Sequence, residues 1–236
     1  MRKVLSSLLI LSSLAMASEY YAKVEPVESY TIKSSVSGKV LYVNSKLEGK
    51  FVSDDTLVKI DDKLNKIELN QTKQKLRTLQ EVLRIEEEIL ESFNKVSSKS
   101  KFDKDNQKIK ILNIKSSIVD LETKIETLKD NIKNKNLTEK NRYIYNIDVN
   151  EGEYVNPGST LYTSLDTTSG KLEIFIPIDE AKTIKSKTIY LDGIKTDLKI
   201  SKLYDVADSK HISSYKCEIV VPKPQTFSKL VKVEFK

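Results

Sequence analysis

Apolar residues recur along this chain with two different periods, and the change of period separates its elements. Leu69, Thr72, Leu76, Leu79, Leu83, Glu86, Leu90 and Phe93 follow one another at alternating spacings of three and four. So do Ile111, Ile114, Ile118, Leu121, Ile125, Leu128 and Ile132. Such a narrow stripe, with charged residues filling the other positions, is the seam of a coiled coil. Residues 62–137 contain no Gly and no Pro, so nothing inside either stripe breaks a helix. The polar run Ser97-Ser98-Lys99-Ser100-Lys101 lies between them. The pattern predicts two helices of about 35 residues, each ~50 Å long at 1.5 Å per residue. Folding the chain back at residue 100 sets Leu90 against Ile111, Leu83 against Ile118, Leu76 against Ile125 and Leu69 against Ile132. Asp61 or Asp62 is expected to cap the first helix, and Asp103, with Asn106 after it, the second. Thr72 and Glu86 interrupt the seam, costing stability while helping to fix the register.

On either side of this insert the period falls to two, and two segments resemble each other. The first runs Ser37-Gly38-Lys39-Val40-Leu41-Tyr42-Val43, then Glu48-Gly49-Lys50-Phe51-Val52, then Thr56-Leu57-Val58-Lys59-Ile60-Asp61. The second runs Arg142-Tyr143-Ile144-Tyr145-Asn146-Ile147, then Glu151-Gly152-Glu153-Tyr154-Val155-Asn156-Pro157-Gly158, then Thr160-Leu161-Tyr162-Thr163-Ser164-Leu165-Asp166. Each reads as strand, Glu-Gly turn, strand ending in Asp. Neither half can bury a core alone, so the two are expected to pack face to face across the insert. Val40, Val43, Val52, Leu57 and Ile60 should meet Ile144, Ile147, Val155 and Leu161. Gly49 and Gly152 supply the positive φ of the tight turns.

Downstream, Leu172, Ile174 and Ile176 alternate along one strand. Asp179 is expected to cap a short helix ending at Ile184. Ile189–Leu191, Asp192-Gly193 and Ile194–Leu198 read as a tight hairpin, and Tyr215–Val221 and Leu230–Phe235 as two more strands. Several short strands around one small helix imply a small barrel. The stretch from Glu19 to Val36 reads as an edge strand or as a lead into the first β half. Cys217 alternates with Ile219 and Val221, as a buried apolar residue would. His211 falls in a polar loop with no partner in sight.

Composition narrows the chemistry. The 236 residues carry 31% charged side chains but only 6 Gly and 5 Pro, and a net charge of +6 spread along the chain. No dense basic block suggests nucleic-acid binding. One Cys and one His leave no intrachain disulfide, no His- or Cys-built metal centre, no expected cofactor and no Ser-His-Asp set. There is no nucleophile elbow and no phosphate-binding Gly loop, so the chain reads as non-enzymatic. At the start, Arg2 and Lys3 precede an apolar run from Val4 to Ala15, and Ala15-Met16-Ala17 has the small-x-small form of a signal-peptidase site. The run falls short of the about 20 apolar residues that span a bilayer, so a leader cleaved after Ala17 is expected. No Cys follows it to carry a lipid anchor.

A split β motif around a coiled-coil hairpin, followed by a small barrel, resembles the periplasmic adaptor family, the membrane fusion proteins of hemolysin-D-like type. The resemblance covers nearly all of the chain after the leader and implies a multidomain α+β architecture. Residues 1–17 are then a signal peptide, 18–61 an N-terminal strand with the first half of a lipoyl-like (barrel-sandwich) domain, and 62–137 the antiparallel coiled-coil α-hairpin. Residues 138–168 are the second lipoyl-like half and 169–236 a small β-barrel. It further implies a periplasmic location in a Gram-negative bacterium and a homo-oligomeric ring. The ring would join an inner-membrane transporter of RND or ABC type to an outer-membrane TolC-type channel, in tripartite efflux or type I secretion. The hairpin tip would meet the channel, which singles out Ser97, Ser98, Lys99, Ser100, Lys101, Phe102 and Asp103. Ser98, Phe102 and Asp103 match the later part of the family's tip pattern, while Leu90 and Glu91 stand where it has Arg-Leu. Arg142 and the Ser228-Lys229 pair occupy positions where the family usually has Gly. With Lys236 following the barrel directly, the membrane-proximal domain of many members is expected to be missing or reduced. Two other functions compete. A lipoyl or biotin carrier needs a modifiable Lys on a tight turn between the half-motifs, where this chain has its long insert. A periplasmic structural or chaperone-like coiled coil leaves the split repeat unexplained.

Overall fold

A computed structural model describes residues 18–236; the predicted leader and its cleavage site lie outside the described residues. In chain order the elements are β1 (Ser18–Lys23), β2 (Glu25–Lys33), β3 (Gly38–Val43), β4 (Lys50–Val52), β5 (Asp55–Ile60), α1 (Lys63–Lys95) and α2 (Lys101–Asn134). Then come β6 (Asn136–Glu139), β7 (Arg142–Ile147), β8 (Tyr154–Val155), β9 (Thr160–Pro177), α3 (Ile178–Ile184) and β10 (Ile189–Leu191). The last are β11 (Ile194–Lys195), β12 (Ile200–Leu203), β13 (Ser214–Pro222) and β14 (Leu230–Phe235). They divide between two compact units, Tyr30–Ser164 and residues 18–29 with 165–236.

In the first unit the two β halves interlock by exchanging strands. β4 pairs antiparallel with β7, β3 with β8, and β5 with β6, each pair joining one half to the other. The resemblance seen in the sequence appears here as reciprocity. The Gly49 N–H donates to the Ile144 carbonyl at 2.8 Å, and the Gly152 N–H to the Val40 carbonyl at 2.9 Å. Asn44 N–H likewise reaches Leu57, and Asp148 N–H reaches Leu161. Gly49 (φ 73°) and Gly152 (φ 91°) hold the left-handed turns that aim these donors. The core contains Val40, Val52, Leu57 and Ile60 from the first half and Ile144, Val155 and Leu161 from the second, all buried, with Val43 and Ile147 packed on its edge. β6 was not visible in the sequence, since Leu137 is the only apolar residue in Asn136-Leu137-Thr138-Glu139.

The insert is a hairpin of 33 and 34 helical residues. Every predicted seam position in both helices is buried or half-buried. The interruptions lie deepest in α1: Thr72 and Glu86 are its two most buried residues. Thr72 satisfies its hydroxyl by donating to the Glu68 carbonyl at 2.8 Å. Glu86 is met from α2 by Gln107, whose amide donates to the Glu86 backbone carbonyl at 2.9 Å and carboxylate at 2.7 Å, and by Lys110 at 2.6 Å. A fold at residue 100 would instead set Glu86 against the neighbourhood of Lys115. Helix α1 ends at Lys95 and α2 begins at Lys101, so the turn is centred on Ser98 and the register shifts accordingly. At the base, Asp61 accepts from the Lys63 N–H at 3.0 Å, while Asp62, the residue before α1, makes no side-chain cap.

In the second unit β14 lies between β1 and β10, which pairs with β11, and β13 lies between β12 and β9. Leu172, Ile174 and Ile176 alternate into a core with Cys217, Ile219, Val233 and Phe235. Burial pushes the Cys217 thiol up to about 12. β1 is an edge strand, paired with β14 from Ser18↔Phe235 to Lys23↔Leu230. Helix α3 starts after Pro177 and Asp179 does not cap it. The predicted Ile194–Leu198 strand is shorter, ending at Lys195. Ser228, where a Gly is expected, adopts φ 62° and donates its N–H to the Val24 carbonyl. His211 does have partners: its ring stacks on Phe175 at 3.4 Å and its Nδ1 lies 3.0 Å from Asp208.

Candidate functional site

The hairpin tip brings all seven predicted residues together at the far end of the two helices. Val96 leaves α1 in an extended conformation, and Ser100 enters α2 with φ −67° and ψ 159°. Ser100, not Asp103, is the N-cap. Its hydroxyl accepts from the Asp103 N–H at 3.1 Å, and the Asp103 carboxylate accepts from the Ser100 N–H at 3.2 Å and hydroxyl at 2.9 Å. This reciprocal capping box satisfies otherwise free backbone donors and fixes the angle at which α2 starts. The tip is therefore a pre-set loop of Ser97, Ser98 and Lys99 held between two helix ends.

Side chains divide at the tip. Phe93 stays half-buried at the end of the seam, with the Lys99 ammonium 4.4 Å from its ring centroid. Phe102, in the first turn of α2, points away from the seam and is 73% exposed; Val96 is 47% exposed. Two apolar side chains thus flank a polar loop. Lys95 is tied to Glu91 at 2.7 Å, whereas Ser97, Ser98 and Lys101 make no side-chain hydrogen bond or ion pair with the described residues. Sequence reasoning missed Val96 and Gln107. The signal for Gln107 was present, four residues before Ile111 and so at a seam position, but a polar residue there reads as outside the stripe.

Elsewhere, no group of three or more His, Cys, Asp or Glu among the described residues is placed to hold a metal ion. No helix among them is long and apolar enough to cross a membrane.

Comparison of the sequence with protein-family models and with curated proteins returns no match. Solved structures do match. MacA from Actinobacillus actinomycetemcomitans superposes with a TM-score of 0.73 at 18% identity, over 93% of this chain and 78% of that one. A MacA-MexA chimera containing the Pseudomonas aeruginosa MexA α-hairpin domain gives 0.74 at 16%, over 93% and 80%. The membrane fusion protein Spr0693 from Streptococcus pneumoniae R6 gives 0.72 at 10%, over 93% and 98%. With its interlocked β halves, inserted hairpin and C-terminal β unit, the chain has the fold of a membrane fusion protein.

Proposed function

We propose that this protein is a non-catalytic periplasmic adaptor. In this reading it joins an inner-membrane transporter of RND or ABC type to an outer-membrane TolC-type channel, and works as a homo-oligomeric ring in tripartite efflux or type I secretion. A leader cleaved after Ala17 delivers it to the periplasm of a Gram-negative cell. The observation that carries the proposal is the tip. A ~50 Å hairpin ends in a capped loop flanked by exposed Phe102 and Val96, and an exposed aromatic at a fixed position is what an apolar groove on a partner would take. Helices this long add nothing to the β core; they carry a small surface a long way from it.

The test uses a strain whose drug resistance or secretion depends on this protein. Phe102→Ala and Ser98→Asp are expected to fold with unchanged helix content and to lose transport. Ser100→Ala is expected to lose about 1 kcal/mol of helix stability as well, through the broken cap. Full transport by both Phe102→Ala and Ser98→Asp removes the tip as the docking surface.

A further inference from the structure

The base of the hairpin, not its tip, carries a second feature. Where α1 leaves β5 and α2 runs into β6, a cavity of about 750 Å³ opens between the helix ends and the β surface. That volume is in the range of small-ligand sites. Its lining combines apolar surface from buried Tyr162 and half-buried Leu137 with a rim of lysines, among them Lys33, Lys59, Lys133 and Lys135. The only carboxylate in the lining, Asp62, is already paired with Lys66 at 2.8 Å. Lys135 uses two of its three donors on the Asp61 carbonyl at 2.7 Å and the Asn65 side chain at 2.8 Å. Lys33, Lys59 and Lys133 have no carboxylate partner among the described residues, whereas α1 and α2 pair five of their lysines across the helices or within them with glutamate: Lys95, Lys110, Lys115, Lys124 and Lys129. Lys133 and Lys135 complement the C-terminal dipole of α2. Lys33 and Lys59 come from strands and have no such role. The Lys59 ammonium has the Tyr42 ring 5.9 Å away and no carboxylate, and the Tyr162 hydroxyl in the floor donates to Glu139 at 3.1 Å. Positive charge is thus gathered around the floor without a carboxylate paired to Lys33, Lys59 or Lys133.

We propose that this cavity binds a small amphipathic anion: a carboxylate or phosphate group held by Lys33, Lys59 and Lys133, with a short apolar body lying against Leu137 and Tyr162. The same chemistry is offered by a free fatty acid or alkyl phosphate and by an anionic lipid. The site stands whether or not the tip docks on a channel, because none of its residues belongs to the tip.

Dodecanoate, below its micelle concentration, is titrated into the mature protein by calorimetry. One saturable site is expected, weakened by added salt as charge contacts at an exposed rim are. The K33Q/K59Q variant should bind about tenfold more weakly or worse, roughly the loss of one charge-assisted hydrogen bond, while K33R/K59R and the remote K46Q retain binding. Dodecanol, with the same chain and no charge, should bind no better to the wild type than dodecanoate binds to K33Q/K59Q. Equal dodecanoate affinity in wild type and K33Q/K59Q, or equal affinity for dodecanol and dodecanoate, overturns the proposal. A second arm separates the sources. Lysine-dependent sedimentation with phosphatidylglycerol vesicles, and none with phosphatidylcholine vesicles, assigns the site to a lipid; dodecanoate binding without sedimentation assigns it to a soluble anion.

Discussion

At Gly38 the absence of a side chain lets β3 press onto the end of β5. A Cβ built there would lie 2.5 Å from the Ile60 methyl, with the Lys135 ammonium at 3.5 Å. Gly38→Ala must therefore push Ile60 out of a filled core, and a loss of about 1–3 kcal/mol is expected in denaturant unfolding. An unchanged midpoint would mean that the strand can shift at no cost. Arg142 holds the corresponding place in the second half, and its guanidinium lies 4.0 Å from the Tyr30 ring, an arrangement glycine could not make. That departure from the family pattern has a local reason the sequence hid, because Tyr30 is far away along the chain. The same holds for His211, whose loop looked empty until folding brought Phe175 beneath its ring. The cap at the tip was misplaced for a different reason: in Ser100-Lys101-Phe102-Asp103 both polar ends can cap, and only the backbone angles decide which one does.

Among the elements, the coiled coil was the most legible, because its 3-4 spacing depends on local sequence and survives any error in register. The register itself was not legible: hydrophobic layers repeat every heptad, and the polar contacts between Glu86, Gln107 and Lys110 set the offset. Hydrogen bonding from Lys110, then from Gln107, holds the Glu86 carboxyl below its ordinary range. A lowered folded pKa stabilises above the unfolded value of about 4.3 and loses that contribution as pH falls through the lowered one. Acid titration of helix content should therefore show a component below the ordinary glutamate range that is absent in Glu86→Gln. Coincident acid profiles for the two proteins would mean that the Glu86 charge does not help hold the helices together. The short β strands were less legible than the helices: β6 and β12 contain too few apolar residues to alternate and exist because neighbours offer them edges.

At the scale of the whole molecule, the β halves are far apart in sequence yet every cross-pair joins one to the other. The two ends of the insert meet at its base, where the Ile60 N–H donates to the Lys135 carbonyl at 2.8 Å. That meeting sets an order of assembly. Closing a loop of roughly 75 residues costs about 2 kcal/mol more than closing one of a few residues. A hairpin built from contacts near its own turn removes that excess, zipping from Ser98 downward until both β halves are delivered to the same place. Hydrogen exchange during refolding should show α1 and α2 amides protected before those of β3, β4, β7 and β8; the opposite order would mean that the β halves find each other unaided. On this view the long insert is also the chain's own folding guide, and damage to its turn would slow the birth of a β core whose residues it never touches.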